Sequence, residues 1–350
     1  MSMSCRVKNM IRSHLEQAGW FSRKGAYLLV DGQFGSTGKG LAAAVLAETF
    51  PEACDIVTTN AGPNSGHTSY FGDEKIVLRQ LPTYGVIARK LGHNPLIFVN
   101  AGAVVDPEVL KAEIEQYVPD EGGVLVSPFA AVVNDEAKAL DGQLTAQIGS
   151  TGKGTGAALA MKVMRFEHAI AGNYEGLPVG NISRVVNRGL VEVSQGFSLG
   201  LNSGFYPYCT SRECTVSQAM SDAGIHPDSY AGAMMVVRTY PIRVAGNSGP
   251  GYPDQKEITW GELGVEPEVT TVTKKIRRVF TWSDLQFMAA LAANRPDVIF
   301  LNFLNYLPKN EWGEFVETKI IGPYRKFFGI PPKAILLGTG PTQNDVGVWE

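Results

Sequence analysis

From Ala26 onward, short apolar, strand-like runs alternate with segments long enough to be helices, and nothing else in the chain constrains its fold as strongly. The runs fall at residues 27–30, 55–59, 75–81, 96–99, 123–126, 190–193, 298–301 and 334–337. Several are apolar at consecutive positions, as strands are when a sheet is covered on both faces. Helical periods are expected between them at 40–50, 107–118, 155–166, 230–240 and 283–293. Strand, helix and strand in that order require crossover connections, so the expected class is α/β, with a large, mostly parallel central sheet flanked by helices. With 350 residues, 44% of them hydrophobic, the chain can bury a large core, and no linker or low-complexity stretch divides it. Residues 26–350 are therefore expected to form one domain, with residues 1–25 as an N-terminal extension carrying a short amphipathic helix at 10–20.

Glycine-rich polar segments punctuate this pattern: QFGSTGKG at 33–40, NAGPNSGHT at 60–68, QIGSTGKGT at 147–155 and LGTGP at 337–341. Each is expected to follow a strand, and loops at the carboxyl ends of parallel strands are where open α/β sheets bind ligands. In QFGSTGKG, bare backbone N–H groups before a helix N-terminus can hold phosphate oxygens, with Gly35, Gly38 and Gly40 allowing close approach and Lys39 adding a point charge. It is not a Walker A loop. Gln33 and Phe34 stand where the first glycine belongs, and Gly40 stands where Ser or Thr would ligate magnesium. A tight strand-to-helix turn with one exposed lysine has the same composition. The hexapeptide GSTGKG recurs at 149–154 without flanking similarity, which suggests two phosphate sites and not a duplicated domain.

Net charge is -3 with no basic block, which argues against a nucleic-acid partner, so an anionic ligand must be held locally. Cys5, Cys54, Cys209 and Cys214 form neither a disulfide framework nor a CxxC zinc pair, and no stretch has the length of a signal core or a membrane span. A cytoplasmic location away from membranes is expected. His67 follows a glycine turn among small polar residues, where it can donate to a phosphoryl oxygen or serve structurally. Residues 270–278, TTVTKKIRR, combine hydroxyls with four cations; as a loop they can grip a carboxylate, and as an exposed strand they are simply solvated.

The order QFGSTGKG, GPNSGHT, IGSTGKG with a following KVMR (162–165), SQG (194–196), GFYPYCTS (204–211), the 270–278 segment and GTGP (338–341) resembles the adenylosuccinate synthetase family over 27–341. The resemblance implies that family's P-loop-like ligase fold, magnesium, a homodimer, and the joining of L-aspartate to position 6 of a purine monophosphate after its 6-oxygen is phosphorylated. By position, it implies catalytic roles for Ser36, Lys39, His67 and Gln195. The donor nucleotide would lie on Gly35, Thr37, Gly38, Lys39, Gly40, Gly66, His67, Thr68, Asn305, Gly340 and Pro341. The monophosphate would lie on Ser36, Asn64, Ser150, Thr151, Gln195 and Thr210, with Arg165 reaching the partner subunit's ligand. Aspartate would meet Thr270, Thr271, Thr273 and Arg277 or Arg278, and magnesium would meet the Gly66 carbonyl, with Ser36 as a weaker second candidate.

Two departures redirect the expected substrates. The family pattern is GDEGKG, whose first acid takes the purine N1 proton; here Ser36 and Thr37 replace both acids. A short neutral hydroxyl leaves room and an acceptor for an amino group at purine C2. The change is similar to phage-type members of the family that act on dGMP, which would place the chain in a host cytoplasm. At 301–305, LNFLN stands where the family reads TKLD, so Asn305 lacks the carboxylate that grips guanine, favouring ATP or dATP as donor. The expected reaction is dGMP with L-aspartate and ATP or dATP. The alternatives are the ordinary IMP reaction, a non-catalytic nucleotide-binding protein, and a P-loop kinase, the last disfavoured by Gly40.

Overall fold

Nine strands form the central sheet of the computed structural model, which describes residues 3–120, 122–148, 151–182, 187–270 and 275–350. They are β1 (Gly25–Asp31), β2 (Ile56–Thr59), β3 (Leu96–Val99), β4 (Val124–Val126), β5 (Arg188–Glu192), β6 (Tyr230–Arg238), β7 (Val298–Asn302), β8 (Ala334–Gly338) and β9 (Val346–Val348). Their order across the sheet is β9-β8-β7-β6-β1-β5-β2-β3-β4, and only β9 runs antiparallel to its neighbour. The expected α/β class holds. β1 sits between β6 and β5, where the winding reverses, so the loops after β1, β2, β5, β6, β7 and β8 open on one edge of the sheet.

Helices α1 (Cys5–Gln17), α2 (Lys39–Thr49) and α3 (Thr83–Lys90) pack side by side on one face. Every residue of α2 is buried, and its Ala-rich sequence suits a helix covered all round. Ser4 caps α1 by accepting the Val7 N–H, so the helix starts earlier than residue 10. Ile11 and Leu15 of α1 join the same core as Tyr27 and Leu46. Among the described residues no helix is long and apolar enough to cross a membrane.

Three local expectations change. The 230–240 segment is a strand, β6, and not a helix: Ala231 to Arg238 is buried throughout, and a run covered on both faces has no period to distinguish the two. The 75–81 run lies outside the main sheet, in a hairpin of His67–Phe71 with Glu74–Leu78. The second GSTGKG does not follow a strand but joins the helix Asp135–Ile148 to the helix Thr155–Val163, and its Gly149 and Ser150 lie outside the described residues.

Candidate active site

The sheet's carboxyl edge opens into a cavity of about 870 Å³. Its floor is the loop after β1. Gly38 ends that loop at φ 98°, and a Cβ there would stand 2.0 Å from Asn302 Nδ2, so only glycine lets the loop meet β7. Asn302 Nδ2 in turn donates to the Thr37 carbonyl at 3.1 Å. Lys39 is nearly buried, with Nζ 3.0 Å from Asp31 Oδ2 and 2.7 Å from the Gln195 carbonyl. Ser36 adopts φ 55°, and its Oγ accepts an N–H from Arg277 at 2.8 Å.

Most of the expected residues share this cavity: Gly35 to Gly40, Asn64, Gly66, His67, Thr68, Thr151, Gln195, Thr270, Arg277, Asn305, Gly340 and Pro341 all line it. The two hexapeptides thus meet at one cavity through Thr151. Asn64 Oδ1 is buried and takes no hydrogen bond from a described residue, an unmet acceptor on the wall of a site. Other residues lie elsewhere. Arg278 is committed to Glu257, Ser248 and the Gly249 carbonyl, so of the two arginines only Arg277 faces the cavity. Thr210 donates its N–H to the Leu199 carbonyl and does not line the cavity. Arg165 is exposed just past the helix Thr155–Val163. Ser150, Thr271 and Thr273 lie outside the described residues.

Four polar residues that sequence inspection passed over are each the last residue of a strand: Asp31 of β1, Glu192 of β5, Arg238 of β6 and Asn302 of β7. For Asp31, Arg238 and Asn302 a single polar residue closing an apolar run was the available signal, and for Glu192 a lone acid within one. Glu192 accepts the Thr83 and Tyr84 N–H groups at the N-terminus of α3, a favourable end for a carboxylate, and its Oε2 lies 3.8 Å from His67 Nδ1. The Glu192 carboxylate thus stands behind the His67 ring. Arg238 is fully buried, donates to the Ser36 carbonyl at 3.0 Å, pairs with Glu268 and stacks over Phe303 at 3.8 Å. Burial works against ionised Glu268, but the Arg238 charge with hydrogen bonds from Arg238 and Tyr306 outweighs it and holds the carboxyl below its usual range.

The sequence profile of the adenylosuccinate synthetase family matches residues 28–172 and 180–312, well over half the chain and spanning the whole floor of this cavity. The chain belongs to the adenylosuccinate synthetase family. Within that family, the N6-succino-2-amino-2'-deoxyadenylate synthase of Vibrio phage phiVC8 is 38% identical over 346 residues, covering 93% of this chain and 99% of the relative. The adenylosuccinate synthetase of Thermococcus sibiricus is 32% identical over 339 residues, covering 90% and 96%. Among solved structures, the cyanophage S-2L succinoaminodeoxyadenylate synthetase bound to dGMP and dATP as an energy donor superposes with a TM-score of 0.81 at 32% identity, covering 93% of this chain and 95% of that one. A fully ligated adenylosuccinate synthetase from Plasmodium falciparum, 21% identical with a TM-score of 0.73, shares the fold.

The magnesium implied for a synthetase of this family finds no protein-built cage. Among the described residues no three His, Cys, Asp or Glu side chains group around one point. The carboxylates of Asp31 and Glu268 are held by Lys39 and Arg238, and the Arg277 cation beside Ser36 Oγ opposes a second cation there. Ser36 therefore does not fit as a ligand. Gly66 lines the cavity, and a backbone carbonyl there would suit an ion carried mainly by substrate phosphates and water, as magnesium usually is.

Proposed function

We propose that this chain joins L-aspartate to C6 of dGMP at the expense of ATP or dATP, forming N6-succino-2-amino-2'-deoxyadenylate, ADP or dADP, and phosphate, for the synthesis of 2-aminoadenine DNA. The reading is carried by Ser36: a neutral hydroxyl in the cavity, turned toward Arg277 at 2.8 Å, where the family pattern has an acid. The donor's phosphates rest on the loop from Gly35 to Gly40 and on Lys39, with His67 and Thr68 above them and Asn305, Gly340 and Pro341 around the base and ribose. dGMP lies against Ser36, Asn64, Ser150, Thr151 and Gln195, with Thr210 behind, and Ser36 accepts an N–H of the 2-amino group. Aspartate is held by Thr270, Thr271, Thr273 and Arg277.

The γ-phosphoryl group passes from the donor to guanine O6, and the N1 proton leaves through Ser36 to water or a substrate phosphate. His67, backed by Glu192, donates to the transferring group, while Lys39 and the loop N–H groups stabilise its charge. The aspartate amine then forms the C6–N bond as the C6–O bond breaks and phosphate departs. Magnesium, when bound, neutralises charge on the donor phosphates.

The working form is a homodimer in the cytoplasm, a host's where a phage carries the gene, with Arg165 reaching the neighbouring site. Val163 and Met164, 75% and 63% exposed beside Arg165, give that surface an apolar patch suited to a partner. Residues 26–350 act as the catalytic domain, with 1–25 as an extension that buttresses α2. Incubating purified protein with aspartate, magnesium, and dGMP or IMP, each with ATP, dATP or GTP, tests the assignment. The succinyl product of dGMP, identified by mass, is expected; turnover of IMP alone, or of neither, would reject it.

A further inference from the structure

We propose that Asp31 is the positioning residue for Lys39 and the glycine loop, and that this role requires a short hydroxyl at residue 37. The proposal rests on the reading that this loop holds the donor's phosphates. Asp31 closes β1, and its side chain is fully buried. Its Oδ1 accepts the Gln33 N–H at 2.8 Å and the Gly35 N–H at 3.2 Å. Its Oδ2 accepts the Thr37 hydroxyl and the Lys39 ammonium.

Four donors fill the acceptor capacity of one carboxylate, leaving no lone pair for a substrate proton or a cation. What Asp31 sets is therefore shape. It draws two loop N–H groups toward itself, and with the Gln195 carbonyl it fixes the Nζ of Lys39, a residue of the cavity wall, between two oxygens. The loop from Gly35 to Gly40 contains no acid of its own, so Asp31 is the counter-ion that Lys39 meets. Thr37 is fully buried. A glutamate in its place would press a second anion against Asp31 out of reach of water, where like charges are costly. With Asp31 neutralised, that same glutamate would supply the missing charge to Lys39. Residues 31 and 37 are coupled through Lys39, and substituting both should cost less than either single change implies.

The test uses the full chain with Asp31→Asn, Thr37→Glu and the double variant, reading ATP and dATP binding, dGMP binding, thermal melting and steady-state rates. Asp31→Asn is expected to weaken donor binding about 30-fold and kcat about 100-fold while dGMP affinity stays within about twofold, the mark of a local and not a global change. Thr37→Glu should lose as much, and the double variant should recover at least about tenfold over Thr37→Glu. Unchanged donor affinity in Asp31→Asn, a parallel loss of donor and dGMP affinity, or a double variant no better than Thr37→Glu overturns the proposal. If Asp31→Asn does not fold, the comparison of Thr37→Glu with the double variant decides. A wild-type protein that binds neither ATP nor dATP overturns the functional reading instead.

Discussion

In the proposed reaction, the functional group at residue 36 sets what the cavity accepts, and Ser36 lines that cavity. Its hydroxyl takes the Arg277 N–H and still has a lone pair and a proton to offer a ligand. Ser36→Asp would convert that contact into an ion pair and crowd the space for a 2-amino group. We expect kcat/KM for dGMP to fall more than about tenfold and IMP to become the better substrate, as measured by phosphate release with each nucleotide. The pair of buried Arg238 with partly buried Glu268 makes a separate, pH-dependent contribution. Glu268 has its folded pKa below the usual 4.5, so its stabilisation is complete above that value and is lost as pH falls through the lower folded one. Glu268→Gln should cost about 3 kcal/mol at pH 7 by leaving the Arg238 charge buried and unpaired, and should flatten the acid limb of stability below pH 4.5, as read by denaturant melts.

Strand ends and the loops that leave them are the elements that build this site. Each of β1, β5, β6 and β7 contributes one terminal polar residue, and the strands' parallel register carries all four to the same edge. The loop after β1 fits beneath β7 only because residue 38 has no side chain. Gly38→Ala would meet Asn302 and force a positive φ on alanine, so melting should fall by an amount worth about 2 kcal/mol, and donor affinity should fall with it. A drop in melting alone, with donor affinity kept, would separate the turn's structural part from its part in binding. The extents of α2 and the helix Pro107–Tyr117 were legible beforehand: each begins and ends within a residue of expectation. β6 was not, since a strand without an exposed face has no alternation to read.

At the scale of the whole molecule, the proposed homodimer has each site completed by a residue of the second copy. Arg165 does not line the cavity of its own chain and lies on a surface with exposed apolar neighbours. Arg165→Ala and His67→Ala should each be nearly inactive alone. Mixed and re-equilibrated, they should regain about a quarter of wild-type turnover, because half the dimers then hold one site with both residues intact. No recovery on mixing, with heterodimers shown to form, would place Arg165 outside the neighbouring site.

The amino-acid sequence by itself determined the α/β class, the glycine loops and most of the cavity lining, because apolar periodicity and glycine content act locally and leave a local record. It left open which of Arg277 and Arg278 faces the site, where Arg238 and Glu268 pair, and that Asp31 lies beneath Lys39. Only the tertiary structure decided those, for a physical reason: each depends on strands far apart in sequence ending at one edge of the sheet, where burial turns isolated polar residues into obligatory partners.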